Sequence, residues 1–392
     1  MSFRQSARLI TAVIMASLLL LSCRKKDVTD FPDHSVLQDV NGLDHALVAL
    51  SDTLSNSLIR MRNSLGLLET YYGSNTISLY DNALAAIVFT IDYKTEEAQV
   101  IFDYFNQRMM TELLQGTGGF FQFRNSSGQP YGNRWLGDNA WLLIALNNYQ
   151  SITGDNTYQT LQYSIDQWIR QQQDLDGGLW GGEDAQGNRI GKVTEGMLDA
   201  FNAVKGYGTF HKDLLHFLAL NRWDSAQHVL TSWPGSDYEL ALDNFTWGYC
   251  AFEDMPYNLL LSAGRFETTQ WSTMAEDSVT GYCFDEDRDA VWLEGSAQMS
   301  VALSKANELQ SAQMILREIA KSQTTIPGIK GSLGIPYSAN PGTGYGGEPL
   351  WLGADSNPST AAMAWFIMAA NRYDPMQIQY SKGIPLSDRF WQ

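Results

Sequence analysis

Five carboxylates, Asp81, Asp138, Glu195, Asp243 and Glu294, each stand at the start of an apolar run, at intervals of roughly 50 to 60 residues. Carboxyl groups gathered in one cleft raise one another's pKa, so some stay protonated near neutral pH while others ionise. A protonated acid beside an ionised one is what hydrolysis of a glycosidic bond by general acid and base requires. Glu195 is the expected proton donor, because its longer side chain reaches past a helix N-terminus whose partial positive charge favours ionisation. Asp138, held at a helix start, is expected to stay ionised and to activate water. Asp81, Asp243 and Glu294 form a second tier that binds hydroxyls or replaces one of the pair, with Glu294 foremost because Trp292 and Gly295 flank it. Taken singly, an acid in a first helical turn needs no more explanation than capping of free N–H groups. Five that converge on one end of a fold do. Trp135, Trp141, Trp180, Trp247, Trp292 and Tyr345 fall in or beside the same end, where rings stack on sugar faces. For Trp141 and Trp247, inside apolar runs, core packing is an equal reading.

The elements that must position these residues follow from the repeat. Residues 80–89 align with 137–146, and 194–201, 242–249 and 293–300 fit the same frame. A sixth segment, 358–368, carries Ser359 in the acid's place. Segments apolar nearly all round are buried helices and form an inner ring. Amphipathic stretches at 96–109, 157–172, 223–230 and 309–319 form an outer ring. Glycine-rich, aromatic stretches at 116–123, 176–184, 280–289 and 332–347 are loops or small hairpins at the cleft end. The expected fold is all-α, an (α/α)6 toroid of six inner and six outer helices in one domain over residues 34–380, followed by a tail at 381–392. Helices at 37–54 and 58–71 either cover the end of the ring or belong to its first hairpin.

With 26 Lys+Arg against 43 Asp+Glu in 392 residues, the net charge of −17 opposes nucleic acid and anionic headgroups. Residues 1–22 have Arg4 and Arg8, a short apolar run and then Leu-Leu-Ser before Cys23, the pattern of a lipoprotein signal peptide. Lipid on Cys23 with a polar tether at 23–33 predicts a protein anchored in a bacterial cell envelope, on the outer membrane. Cys250 and Cys283 remain, bonded or free. The five histidines form no cluster with cysteines, so no metal or cofactor is expected, and the partner is a carbohydrate bound by a monomer. The run Asp285 to Asp289 reads as a solvated acidic loop in preference to a calcium site.

On these residues the chain resembles the six-hairpin glycosidase superfamily over residues 75–372. Gly137-Asp138-Asn139-Ala140-Trp141, with Thr153-Gly154-Asp155 following, is similar to the Asp-Asp-x-x-Trp helix opening of family 76 glycoside hydrolases, the α-mannanases. That family uses two consecutive aspartates. Gly137 occupies the first position here, so the resemblance carries over only Asp138. Two other classes stay open: a glycan-binding lipoprotein without catalysis, and a polysaccharide lyase on the same toroid. A lyase needs a base beside a cation for an acidic sugar, which the negative chain disfavours. An epimerase would place histidines at the inner-helix starts, where this chain has acids.

Overall fold

Every residue of the segment Thr360–Ala370 is buried, and Leu79–Ile91 is buried along nearly its whole length. Helices with no polar face bury themselves only by standing in a ring of their own kind. A computed structural model describes residues 44–233, 239–344, 347–377 and 381–392 and contains that ring. The chain runs α1 (His45–Met61), α2 (Leu79–Ile91), α3 (Thr95–Gln107), α4 (Leu136–Thr153), α5 (Gln159–Gln171) and α6 (Thr194–Ala203). It continues through α7 (Thr209–Asn221), α8 (Leu242–Ala251), α9 (Asn258–Ser262), α10 (Leu293–Lys305), α11 (Leu309–Lys321) and α12 (Thr360–Ala370). The even-numbered helices are the inner ring, each packed on the next, and α12 closes on α2. The odd-numbered helices lie outside, with α1 against α12.

The outer helices show the amphipathic spacing expected of them. In α5, Leu161, Ile165, Trp168 and Ile169 face inward while Tyr163 is exposed. The expected outer helix at 223–230 is instead a two-stranded hairpin, Trp223–Asp224 paired with Val229–Leu230. Asp224 Oδ1 accepts from the backbone N–H of Ala226 and Gln227, and His228 takes a positive φ of 55°. That local turn competes with the helix and wins. The outer helix of this repeat is α7. Among the described residues one helix, not two, precedes the ring. This helix, α1, is capped by Asp44, and residues 62–76 are not helical because Asn63 Oδ1 accepts from Leu65 and Leu67 around Gly66, at φ 78°. Residues 381–392 pack onto the ring, with Trp391 buried and stacked on Phe252 at 4.7 Å. The lipoprotein segment, Cys23 and the tether lie outside the described residues.

Candidate active site

One hydrogen bond recurs at all six inner-helix starts. The first helical N–H of each donates to the carbonyl of a loop from the neighbouring repeat: Leu79 to Gln122, Leu136 to Gly181, Thr194 to Ser232, Leu242 to Phe284, Leu293 to Tyr337 and Thr360 to Thr70. The loops thus interlock around the mouth, and Thr70 completes the circle. Ser78 and Ser359 also cap α2 and α12 with their side chains. Trp135, Val193, Ala241 and Trp292 occupy the other cap positions and make no side-chain cap bond. Capping therefore does not explain the acids. No first-turn N–H bonds to the carboxyl of Asp81, Asp138, Glu195 or Glu294, so these groups are left to the space inside the ring.

All five predicted acids converge there. Asp81, Asp138, Asp243 and Glu294 are buried, and Glu195 is half-buried. Burial comes first among the causes that push the Asp81 carboxyl up to about 7 and Glu294 up to about 8. Burial, then the charge of Asp81, raises Asp138 well above the ordinary carboxylate range. Burial and the charges of Asp243, Asp138 and Glu294 raise Glu195 in the same way. The expectation that Asp138 keeps a low pKa is thus corrected: loss of water outweighs the helix dipole. Glu294 is tied to its neighbours by side-chain hydrogen bonds. Tyr80 donates to its Oε1 at 2.8 Å, Trp365 Nε1 donates to the Tyr80 hydroxyl at 2.8 Å, and Gln298 Nε2 reaches Oε1 at 3.4 Å.

Three further residues belong to this site. Asp199, a turn beyond Glu195 on α6, is completely buried beside Glu195, Asp243 and Asp138. Tyr80 bridges Glu294 to α12. Tyr337, whose backbone carbonyl holds the start of α10, is ringed by the charges of Glu294, Asp81, Asp243 and Glu195, and its hydroxyl bonds to no described residue. Its ring packs on Trp351 at 4.2 Å and Trp292 at 6.2 Å. The tyrosines carried no signal in the sequence because they do not recur with the repeat. Asp199 hid one turn behind a more prominent acid.

The rings divide into floor and rim. Trp141, Trp247 and Trp365, from alternate inner helices, meet on the axis, with centroids 5.4, 5.5 and 6.4 Å apart. They are the packed floor beneath the acids, so the equal reading of Trp141 and Trp247 as core is the one the structure supports. Trp292 is also buried, stacked on Phe284 at 4.4 Å. Trp135 and Trp180 are partly open, the latter with Lys192 over its ring at 4.8 Å. Tyr345 lies outside the described residues. The glycine that follows Glu294 has a packing reason: a Cβ at Gly295 would stand 2.1 Å from the Trp292 ring. Mixed among these groups are buried donors and acceptors without partners, Asp81 Oδ2, both Asp199 oxygens and the indole N–H groups of Trp141, Trp247 and Trp292. Unpartnered donors and acceptors side by side are what a polyhydroxylated ligand satisfies.

Among the described residues, Cys283, Asp287 and Asp289 alone bring possible metal-ligand atoms together, within 4.8 Å. Those carboxylates already tie down a loop, accepting from the Thr343 hydroxyl at 2.9 Å and the Thr343 N–H at 3.0 Å. Cys250 and Cys283 are both free and buried. A cavity of about 290 Å³ lies at the other end of the ring, where the inner helices finish, lined by Asn202, Cys250, Lys305, Met376 and Lys382.

No protein-family model matches the chain, and no curated protein matches it. Solved structures do. A glycosidase superposes with a TM-score of 0.61 at 11% identity, covering 85% of this chain and 98% of its own. A sugar epimerase from a ruminal bacterium gives 0.58 at 12% identity over 83% and 99% of the two chains. Cellobiose 2-epimerase from Bacillus thermoamylovorans gives 0.55 at 10% identity over 84% and 100%. The chain has the (α/α)6 toroid fold that these glycosidases and sugar epimerases also have.

Proposed function

We propose that this protein is a carbohydrate-active enzyme, a glycoside hydrolase acting on a neutral glycan, with Glu195 as proton donor and Asp138, in its ionised form, as the base that activates water, its raised pKa making that carboxylate a stronger base than an ordinary one. The observation that carries the reading is the set of inner-helix carboxyls that no cap bond uses, gathered above an indole floor with unpartnered donors and acceptors among them. A neutral sugar suits the site, since among the described residues no cation acts on these acids to bind an acidic one. Glu195, half-buried where its neighbours are buried, is the acid placed to meet a leaving-group oxygen. The structures similar in fold favour a carbohydrate ligand; one is a glycosidase in complex with glucose, at a TM-score of 0.54.

Three of the similar structures bear epimerase names, so epimerisation is the second reading. It wants a neutral base able to take and return a proton, for which histidine is the usual group. The described histidines stand elsewhere: His45 on α1, His211 and His216 on α7, and His228 in a turn. The deciding experiment is a screen of the purified protein on mannans and on α- and β-glucans for reducing-sugar release, with cellobiose assayed in parallel for epimerisation. Reducing ends are expected; an epimerised disaccharide without new reducing ends removes the hydrolase reading.

We also infer that lipid on Cys23 anchors the mature protein in the cell envelope, as the Leu-Leu-Ser-Cys ending predicts. Mass spectrometry is expected to find a lipid-modified N-terminus in the native protein and none in Cys23→Ala. A lipid that persists in the variant refutes the anchor.

A further inference from the structure

Trp233 presents an indole at the mouth of the ring, with 46% of the residue exposed. Two runs of backbone hydrogen bonds fix where it stands. On one side, its chain neighbour Ser232 offers the carbonyl that receives the Thr194 N–H at 3.2 Å, the bond that starts α6 and with it Glu195. The Ser232 N–H donates in turn to the Glu239 carbonyl at 2.7 Å, so the strand that carries Trp233 is held from both directions. On the other side the ring lies against Gly191. A Cβ there would stand 3.0, 3.5 and 3.6 Å from three adjoining ring atoms, distances near enough to one another that the indole meets the glycine with a face and not an edge. Gly191 follows Ile190, whose carbonyl accepts from the Gly181 N–H at 3.0 Å, and the Gly181 carbonyl receives the Leu136 N–H at 2.9 Å, the bond that starts α4 and with it Asp138. Trp233 therefore bridges the loop that holds Asp138 and the loop that holds Glu195.

We propose that Trp233 is a substrate-binding residue that carries a sugar unit next to the one held among the acids, so that the ligand is a chain of two or more units and not a free monosaccharide. The inference rests on the reading of Asp138 and Glu195 as the pair that a glycan approaches. Asp138 is buried and Glu195 half-buried behind these two loops, so a unit that enters among them leaves its neighbour at the level of the rim, where the indole stands. A large ring seated on a backbone without a side chain has little rotamer freedom left to lose when a ligand settles on it. Its flat apolar surface suits the C–H face of a pyranose, and its exposure leaves water to be displaced there. The floor indoles Trp141 and Trp247 have already spent their surface on each other and on Trp365. Gly191 shares in this role, since any side chain there presses on the ring and shifts it from its seat.

The test is affinity electrophoresis of the full chain through gels that contain a soluble mannan, a mixed-linkage β-glucan or glycogen, which reads binding whether or not the glycan is cleaved. Trp233→Ala is expected to weaken binding to the retarding glycan about tenfold, with the thermal transition unchanged. Trp233→Tyr, which keeps a ring, should lose less, and Gly191→Ala, which keeps the indole but crowds it, should fall between the native protein and Trp233→Ala. If Trp233→Ala does not fold, the tyrosine and Gly191 variants carry the comparison. Retardation equal to that of the native protein in all three variants overturns the proposal, as does a native protein that none of the glycans retards. On a glycan that is cleaved, the loss should fall on KM with kcat little changed, because the ring touches no reacting atom. A lower kcat at unchanged KM overturns the binding role. Retardation that Trp233→Ala loses on a glycan the native protein does not cleave refutes the hydrolase reading and leaves the sugar site standing, whereas cleavage with KM unaltered in Trp233→Ala does the reverse.

Discussion

Glu195→Gln is expected to lower glycan hydrolysis by about 10²-fold or more, with a thermal transition no lower than that of the native protein. The amide keeps the size of the side chain and removes only the proton it gives. Nothing structural depends on the charge: Thr194, not Glu195, makes the bond that anchors the start of α6, through its N–H and hydroxyl to Ser232 and Thr231. Burial and three neighbouring acids hold the Glu195 carboxyl up, so it keeps its proton to higher pH than an ordinary carboxyl and loses it as pH rises. Activity should accordingly decline on the alkaline side, and Asp138→Asn should be as damaging as Glu195→Gln. Steady-state rates across pH, alongside circular dichroism melts, give the comparison. A drop of less than tenfold in both variants removes this pair and shifts the chemistry to Glu294 with Asp243.

Trp365→Ala is expected to destabilise the toroid by about 3–5 kcal/mol, among the largest single losses available to it. The side chain is 2% exposed and packs against both Trp141 and Trp247 on the axis, so no surface loop can collapse into the hole it leaves. It also donates to Tyr80, which donates to Glu294, so the floor and the acid above it are one hydrogen-bonded stack. Trp365→Phe separates the two contributions. It keeps most of the packing and cuts the N–H bond, and should lower stability less while still disturbing Glu294. Denaturant titration of both variants measures the difference. Equal losses for Ala and Phe would contradict an important packing contribution from the indole.

The ring itself was legible because the physics of an inner helix is severe. A helix apolar all round has one place to go, and six of them with an acid or serine at the start announce their common end. The outer ring was less legible, since amphipathic spacing over eight residues at 223–230 is matched as well by a hairpin, and Asp224 with its local hydrogen bonds decided between them. Position 137 was read as an acid lost relative to a family pattern; its part is to make space for Asp199, a contact between residues 62 positions apart that no spacing reveals. Trp141 and Trp247 could be placed on the inner helices but not aimed. Whether a ring faces a ligand or another ring depends on the partner helix across the axis.

The three indoles on that axis have a spectroscopic consequence. Chromophores at centroid separations of 5.4 to 6.4 Å, held at fixed angles, absorb as coupled oscillators and exchange excitation faster than they emit. The near-ultraviolet dichroism of this protein should carry their exciton signature, and its fluorescence should be dominated by whichever indole lies lowest in energy. Trp141 is three residues along its helix from Asp138, and Trp247 four from Asp243, so the emitting cluster sits directly under the carboxyls. A sugar settling there, or a proton arriving, would change the field on the cluster and its colour with it, giving the molecule a built-in optical gauge of its own occupancy.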